Sequence, residues 1–203
     1  MFKQVNPRIN EFMQSGHEQM THGIMMVVLS IQQPWHSVGV QMQDYREKGL
    51  ESKYVWGNKR KTYKWLIDNG AELFESLMDA DNTDTYKHML LTQVDGLGVA
   101  KAGFVMQLMF GVSGCMDVHN LRKYDVPASV LSVSPSMKQG TRQSKVRQYN
   151  LICHEIGTDE LWNQWCQFIA NKYPTKWVDG NHVSMVHYTY LTDSWYNIVK
   201  EGE

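Results

Sequence analysis

The sequence lacks the features that mark metal-bound, secreted or membrane-spanning chains. Its three cysteines, Cys115, Cys153 and Cys166, are too far apart for a C-x-x-C zinc pair or an iron–sulfur cysteine run. No apolar run is long enough to span a bilayer, and the first residues lack the apolar core of a signal peptide. We therefore expect a cytoplasmic protein without membrane contacts, whose cysteines are reduced and packed as small hydrophobic side chains.

A strong excess of charge of either sign is absent as well. The formal net charge is −1 over 203 residues, so any binding of nucleic acid must depend on local patches. Two basic runs, Lys59–Lys64 and Lys138–Arg147, each carry four positive charges and no negative one. Each run either follows DNA phosphates or forms a solvated helix face. His182 and His187 are five residues apart, which is off the spacing of one helix face, so we predict no metal site.

What the chain has in abundance is helical periodicity. Apolar residues recur at three- and four-residue steps, which predicts an all-α fold, and the length fits one medium domain or two small lobes. Asn69-Gly70 is a candidate interruption, and Val126 to Gln139 is predicted to be a loop. The predicted helices cover residues 9–30, 37–47, 59–78, 85–93, 99–110, 141–156, 158–172, 182–191 and 193–199.

One stretch of glycines carries the strongest functional signal, Val94-Asp-Gly-Leu-Gly-Val-Ala-Lys-Ala102. Gly96 and Gly98 have no Cβ, so the backbone of a tight turn can come close to another molecule. The helix predicted to start at Val99 offers free N–H groups to a phosphate, and Lys101 adds charge nearby. The stretch therefore predicts a phosphate-binding turn, although a Gly-x-Gly pair alone also occurs in ordinary helix connections.

A lone acid follows one helix later, in Met116-Asp-Val-His-Asn-Leu-Arg-Lys-Tyr124. Asp117 stands next to His119 and Asn120, and a carboxylate at this distance from a phosphate-binding turn is a candidate catalytic group. Aspartate is also a good helix N-cap, and both roles are compatible in one residue. Cys115 is a candidate nucleophile, but no activating base is evident, which favours a buried thiol.

These residues resemble the motifs of the helix-hairpin-helix DNA glycosylase superfamily, of the endonuclease III type. That family has a Gly-Val-Gly hairpin, a helix, and then a Val-Asp-Thr-His segment. Upstream, Leu29-Ser-Ile-Gln-Gln-Pro-Trp-His-Ser-Val38 is similar to the family's Leu-Ser-Ala-Gln-Ala-Thr-Asp-Val-Ser-Val, in which a glutamine enters the space left by an extruded base. The two anchors occur in the family's order and cover residues 9 to 124.

The resemblance implies a fold and a set of site residues. It implies two helical lobes around a DNA-binding cleft in one unit, 1–203, with residues 30–125 as the hairpin lobe and 1–29 with 126–203 as the second. Asp117 matches the catalytic aspartate, and Gln32 or Gln33 matches the residue at the flipped-base gap. The implied DNA contacts are Gly96, Gly98, Val99, Lys101, Gln32 and Gln33.

Two departures from the family's pattern narrow the range of activities that the resemblance implies. Ala100 occupies the position where bifunctional glycosylases have a Schiff-base lysine, and Lys101 lies about 100° further round the helix. The cysteines of the endonuclease III cluster are absent. The last third of the chain, with Lys138–Arg147, Leu161–Cys166 and His182–Tyr190, instead resembles a bacteriophage-associated branch, the α-glutamyl/putrescinyl-thymine pyrophosphorylases or amino acid:DNA transferases.

This branch implies hypermodification of thymine in duplex DNA. A kinase prepares pyrophosphorylated 5-hydroxymethyluracil, and the transferase then joins an amino acid or amine and releases pyrophosphate. The protein is expected to be a monomer without a cofactor, apart from a monovalent cation at the hairpin. Two alternatives stay open, a monofunctional DNA glycosylase and a non-catalytic DNA-binding module. The expected contacts to the pocket or to phosphate are His119, Asn120, Arg122, Lys123, Lys138 and Arg142.

Overall fold

The computed structural model describes residues 5, 7–31, 33, 35–172, 175–178 and 181–184. Short 3₁₀ turns lie at Gly49–Glu51 and Ala128–Leu131. The α-helices formed by the described residues are α1 (Pro7–Gln14), α2 (His17–Leu29), α3 (Trp35–Lys48), α4 (Gly57–Met78), α5 (Asp84–Leu91), α6 (Val99–Phe110), α7 (Val118–Lys123), α8 (Gln139–Ile156) and α9 (Thr158–Lys172). The predicted all-α class is therefore confirmed at this level, whereas the two-lobe arrangement stays a prediction.

A short β-hairpin follows the helices. Strand β1 (Thr175–Val178) pairs antiparallel with β2 (Asn181–Ser184), and Trp177 lies opposite His182. The prediction of a helix starting at residue 182 is thus wrong for residues 182–184. Asp-Gly, the dipeptide between the two strands in the sequence, favours tight hairpin turns and outweighed the weak helical pattern. The rest of that predicted helix and the one at 193–199 lie outside the described residues.

Helix α4 runs without a break through Asn69-Gly70, so the candidate interruption is wrong. Gly70 is buried, and a Cβ built on it would lie 3.5 Å from the Thr21 hydroxyl of α2. The Asn69 amide donates to the Trp65 carbonyl at 2.9 Å within the same helix. Packing against α2 therefore compensates for the low helix propensity of this pair.

Two hydrophobic clusters hold the helices together. The larger one joins α1 to α4 with α6, and it also contains Trp162 and Cys166 from α9. Methionine fills much of it, which suits an irregular interior because the thioether chain is unbranched and adaptable. Its buried methionines are Met13, Met20, Met25, Met26, Met42, Met106 and Met109.

The smaller cluster connects the helices on either side of the glycine turn to α7, α8 and α9. It contains Met89 of α5, Val99 of α6 and Tyr149 of α8, together with Met116, which precedes the predicted catalytic acid. Residues of both predicted lobes therefore pack in one cluster, and the division at residues 30 and 125 remains a prediction. None of the helices in the described part of the chain combines the length and apolarity that crossing a membrane requires.

Helix α6 is anchored by side chains at its C-terminal end. Asn10 and Gln14 of α1 donate their amides to the carbonyls of Leu108 and Met109, each at 2.5 Å. The Gln107 amide donates to the Thr158 carbonyl at the start of α9 at 2.7 Å. The last carbonyls of a helix have no partner within the helix, so the bonds from Asn10 and Gln14 satisfy α6, and all three bonds join it to its neighbours.

Candidate nucleic-acid interface

The glycine turn joins α5 to α6, as the sequence predicts. The Leu97 N–H donates to the Val94 carbonyl at 3.0 Å, and Gly96 lies in the left-handed region with φ +79°. A Cβ built on Gly96 would lie 2.7 Å from the Thr62 hydroxyl and 2.8 Å from the Asn58 carbonyl of α4. Both the backbone conformation and the approach of α4 therefore require glycine at residue 96.

Gly98 has a different role from Gly96. It is the N-cap of α6 with φ −70°, and a Cβ built on it would meet nothing within 4 Å. Packing within the described structure therefore does not require glycine at residue 98. Because glycine has no side chain, the start of α6 is accessible from solvent. The first N–H groups of a helix have no partner inside it, so an anion can reach them here.

Val99 and His88 fix the start of α6 from the inside. The Val99 side chain is buried in the smaller cluster, so only its backbone is available to DNA. The buried His88 ring of α5 has Nε2 3.0 Å from the Val99 carbonyl and Nδ1 2.7 Å from the Asn150 side-chain oxygen of α8. Burial lowers the pKa of His88, and its hydrogen bonds to Asn150 and Val99 oppose this shift. Ser113 also donates its hydroxyl to Asn150, at 2.9 Å.

Lys101 folds back onto the turn. Its ammonium donates to the Gly96 carbonyl at 3.2 Å, and burial lowers its pKa. Ala100, at the position of the lyase lysine in the resembling family, carries no nucleophile. The monovalent cation remains a prediction, and the Lys101 ammonium already brings a positive charge to a hairpin carbonyl.

Lys59 reaches the same region from α4. Its ammonium donates to the Leu29 carbonyl at the end of α2, at 3.5 Å. Burial lowers the pKa of Lys59, and the charge of Lys101 lowers it further. From the sequence, Lys59 is one member of a basic run, and nothing in that run distinguishes it from its neighbours. The tertiary structure adds this residue to the candidate site.

Gln33 follows the end of α2, the helix whose Leu29 carbonyl Lys59 contacts. The Gln33 N–H donates to the Ser30 carbonyl at 3.3 Å, and its side-chain oxygen accepts from the Gln41 amide of α3 at 3.3 Å. Gln33 is therefore tied to α3, while Gln32 lies outside the described residues. The N-terminal turn of α4 therefore contacts both the end of α2, through Lys59, and the hairpin, through Asn58.

Asp117 is the N-cap of α7. Its Oδ1 accepts hydrogen bonds from the backbone N–H groups of His119 and Asn120, each at 2.9 Å. The residue is half-exposed, and its bonds within the described structure use only this one carboxylate oxygen. The capping role is thus confirmed, and an oriented carboxylate remains available for chemistry.

The segment before Asp117 is held by α6 and α8. The Tyr149 hydroxyl accepts from the Met116 N–H at 2.9 Å and donates to the Gly114 carbonyl at 2.7 Å. A Cβ built on Gly103 would lie 2.5 Å from the same carbonyl, so the segment crosses α6 in direct backbone contact. Tyr149 is buried, and burial raises its pKa well above the ordinary value, which keeps it protonated as a donor.

The Cys115 thiol lies within range of the charges of both Asp117 and Lys101. Burial raises the pKa of its thiol, the nearby Asp117 carboxylate raises it further, and the Lys101 ammonium opposes both. Asp117, Cys115 and Lys101 therefore share one neighbourhood. A thiol with a raised pKa is a poor nucleophile, in agreement with the reading of Cys115 as a packed side chain.

The other predicted site residues are dispersed. The His119 ring packs on Phe168, with centroids 4.1 Å apart, and the buried Asn120 donates its amide to the Cys115 carbonyl at 2.6 Å. Arg142 is buried and donates to the Pro135 carbonyl at 3.3 Å. The exposed cations of this set are Arg122, Lys123 and Lys138.

A cavity of about 230 Å³ lies against the turn. The turn residues from Val94 to Val99 line one side, and Val133 and Pro135 line the other. Arg142 holds Pro135 and so shapes this cavity without reaching the turn itself. Larger grooves of about 410 and 520 Å³ run between α5 and α8, and Asp117 lines none of the three. We give the small cavity more weight because its walls contain the predicted phosphate contacts.

Comparison of the chain with protein-family models, curated proteins and solved structures found no match. The resemblance to the glycosylase superfamily therefore stands on the motifs of this chain alone. Over the described residues, no group of three or more His, Cys, Asp or Glu side chains is placed to hold a metal ion.

Proposed function

We propose that the protein is a DNA-modifying transferase. It binds duplex DNA that contains pyrophosphorylated 5-hydroxymethyluracil, and it joins an amino acid or another amine to the exocyclic methylene with release of pyrophosphate. The target nucleotide rotates out of the helix, because its reacting atoms cannot be reached inside the base stack. The protein acts as a monomer in the cytoplasm, that of an infected host cell if the gene belongs to a phage.

The observation that carries the proposal is the missing nucleophile at the start of α6. Ala100 has no reactive group, and the Lys101 ammonium is bonded to the Gly96 carbonyl. The start of α6 therefore offers no lysine at the position of the lyase nucleophile, which supports a reaction whose nucleophile comes from outside the protein. An external amine gives the transferase, and water gives the glycosylase.

Asp117 has a defined role in the transfer. The C–O bond between the exocyclic methylene and the diphosphate breaks, and its electron pair leaves with the diphosphate oxygen. The amine nitrogen forms the new C–N bond and gives its extra proton to the Asp117 carboxylate. The N–H groups of His119 and Asn120 orient that carboxylate through Oδ1.

The experiment is an incubation with modified duplex DNA. Duplex containing pyrophosphorylated 5-hydroxymethyluracil is mixed with the protein and a set of amino acids, digested to nucleosides and separated. A nucleoside carrying an amino acid supports the transferase. Abasic sites with free base would instead identify a monofunctional glycosylase. Intact DNA that is bound but unchanged would identify a non-catalytic DNA-binding module.

Asp117→Asn separates chemistry from folding. Asparagine caps helices about as well as aspartate, so α7 and the fold should be kept. Loss of the proton acceptor is expected to lower the transfer rate by about 10²–10⁴-fold, with DNA affinity retained. Asp125→Asn removes an exposed acid from the same region and serves as the control. Equal transfer rates in Asp117→Asn and wild type would refute the role of Asp117.

A further inference from the structure

Two lysines from different helices approach each other beside the hairpin. Lys59 lies in the first turns of α4 and contacts the Leu29 carbonyl, and Lys101 lies in the first turn of α6 and contacts the Gly96 carbonyl. The Asn58 carbonyl would lie 2.8 Å from a Cβ built on Gly96, so α4 touches the turn directly next to Lys59. Lys59 therefore follows the residue of α4 that touches the hairpin, and the Lys101 ammonium contacts the hairpin itself.

Among the residues that the structure describes, neither lysine has a carboxylate partner. The ion pairs formed between described residues are Lys48 with Asp44 and Arg60 with Glu51, and neither includes Lys59 or Lys101. Each of these two half-buried ammonium groups has three donors and uses one of them on a backbone carbonyl. Burial is the main cause of the lowered pKa of Lys59, and repulsion by the Lys101 charge adds to it. An anion between them would remove that repulsion and use the remaining donors.

We infer that Lys59 and Lys101 together form a subsite for phosphoryl oxygens, which binds the diphosphate leaving group of the modified base. This inference rests on the proposed function. A diphosphate carries more negative charge than a backbone phosphodiester, and two ammonium groups match it better than one. When the C–O bond breaks, the electron pair stays on the diphosphate oxygen, and the two lysines stabilise the growing charge.

The subsite uses other cations than those that the sequence predicts for contacts to the pocket or to phosphate. Arg142 is buried and bonded to the Pro135 carbonyl, and Arg122 and Lys123 are exposed on α7. Lys59 and Lys101 are both half-buried, and Lys101 lies in the first turn of α6. Departure of diphosphate is therefore assigned to α4 and α6, and the exposed cations of α7 are left for contacts with the DNA backbone.

The first test uses inorganic pyrophosphate without DNA. Pyrophosphate is titrated into wild type, Lys59→Gln, Lys101→Gln and Lys61→Gln by calorimetry. Lys61 is an exposed lysine of the same basic run and is the matched control. Wild type and Lys61→Gln should bind alike, and each of the other two variants should bind about tenfold or more weakly. No binding by wild type, or equal weakening in Lys61→Gln, would overturn the subsite.

The second test distinguishes the diphosphate from a DNA backbone phosphate. Affinity is measured for two duplexes that differ only in one base, pyrophosphorylated 5-hydroxymethyluracil or thymine. Lys59→Gln and Lys101→Gln should lose the preference for the modified duplex, because their affinity for that duplex should fall by a much larger factor than their affinity for the thymine duplex. Equal loss for both duplexes would show backbone contacts and overturn the assignment to the leaving group.

The tests also separate this inference from the proposed function. Lysine-dependent binding of pyrophosphate without any transfer product would support the subsite and refute the transferase. Transfer that depends on Asp117 but is unchanged in both lysine variants would support the transferase and refute the subsite.

Discussion

The hairpin and the segment before Asp117 are fixed in opposite ways. The hairpin requires glycine at residue 96, since α4 approaches this residue so closely that a Cβ has no room. The segment before Asp117, here called the acid segment, is held by the Tyr149 hydroxyl, which donates to the Gly114 carbonyl and accepts from the Met116 N–H. Both glycines of the turn are exposed, whereas Gly114 and Met116 of the acid segment are buried. Glycine therefore keeps a surface clear for a ligand, and a buried phenol sets the position of the acid.

The largest effect on stability is expected from Gly96→Ala. Alanine at φ +79° is strained, and its Cβ would come within 2.8 Å of a backbone oxygen. The free energy of unfolding should fall by about 3 kcal/mol, measured by urea denaturation. Gly98→Ala is the control and should leave stability unchanged or raise it by about 0.5 kcal/mol. Equal losses in the two variants would contradict the distinction between the glycines.

Tyr149→Phe tests the other half of the comparison. It leaves the Met116 N–H and the Gly114 carbonyl without the phenol in a buried setting, which should cost about 2 kcal/mol of unfolding free energy. The control is Tyr124→Phe, since the half-buried Tyr124 hydroxyl donates to Glu160, which water can reach. A cost in the control as large as that in Tyr149→Phe would mean that the two bonds do not hold the segment.

Gly98→Leu should affect DNA binding and not folding. The side chain would cover the open start of α6 and weaken binding to every duplex by about tenfold, because phosphate contacts carry no sequence information. Fluorescence anisotropy with several unrelated duplexes measures this. A loss restricted to one sequence would show that the residue reads bases, contrary to the phosphate-binding role.

The smallest effect is expected from Thr62→Val. The Thr62 hydroxyl donates to the Asp95 carbonyl of the turn at 2.6 Å, and its loss should cost about 1 kcal/mol. Thr92→Val is matched, because the Thr92 hydroxyl donates to Met89 within its own helix segment. DNA affinity should fall in Thr62→Val alone. A fall of the same size in Thr92→Val would exclude a specific role of α4 in orienting the turn.

Local signals in the sequence predict the helices and the turn well. Apolar periodicity locates α2 to α6, and Asp117 is recognisable as an N-cap from its own neighbourhood. The bonds that assemble the site are not local, since Thr62 and Asp95 are 33 residues apart and His88 and Asn150 are 62 apart. No short-range pattern indicates such pairs. The β-hairpin was missed because periodicity in a short segment is weak compared with the Asp-Gly turn signal.

Helix α6 is held by hydrogen bonds to neighbouring helices at both of its ends. His88 and the glycine turn hold its first residues, and three amides from α1 and α6 bond its last turn to neighbouring helices. A helix held in this way keeps a constant direction between the glycine turn and the body of the protein. Under the proposed function, the conformational adjustment would then fall to the nucleic acid, which would bend and turn out its nucleotide to meet a rigid surface.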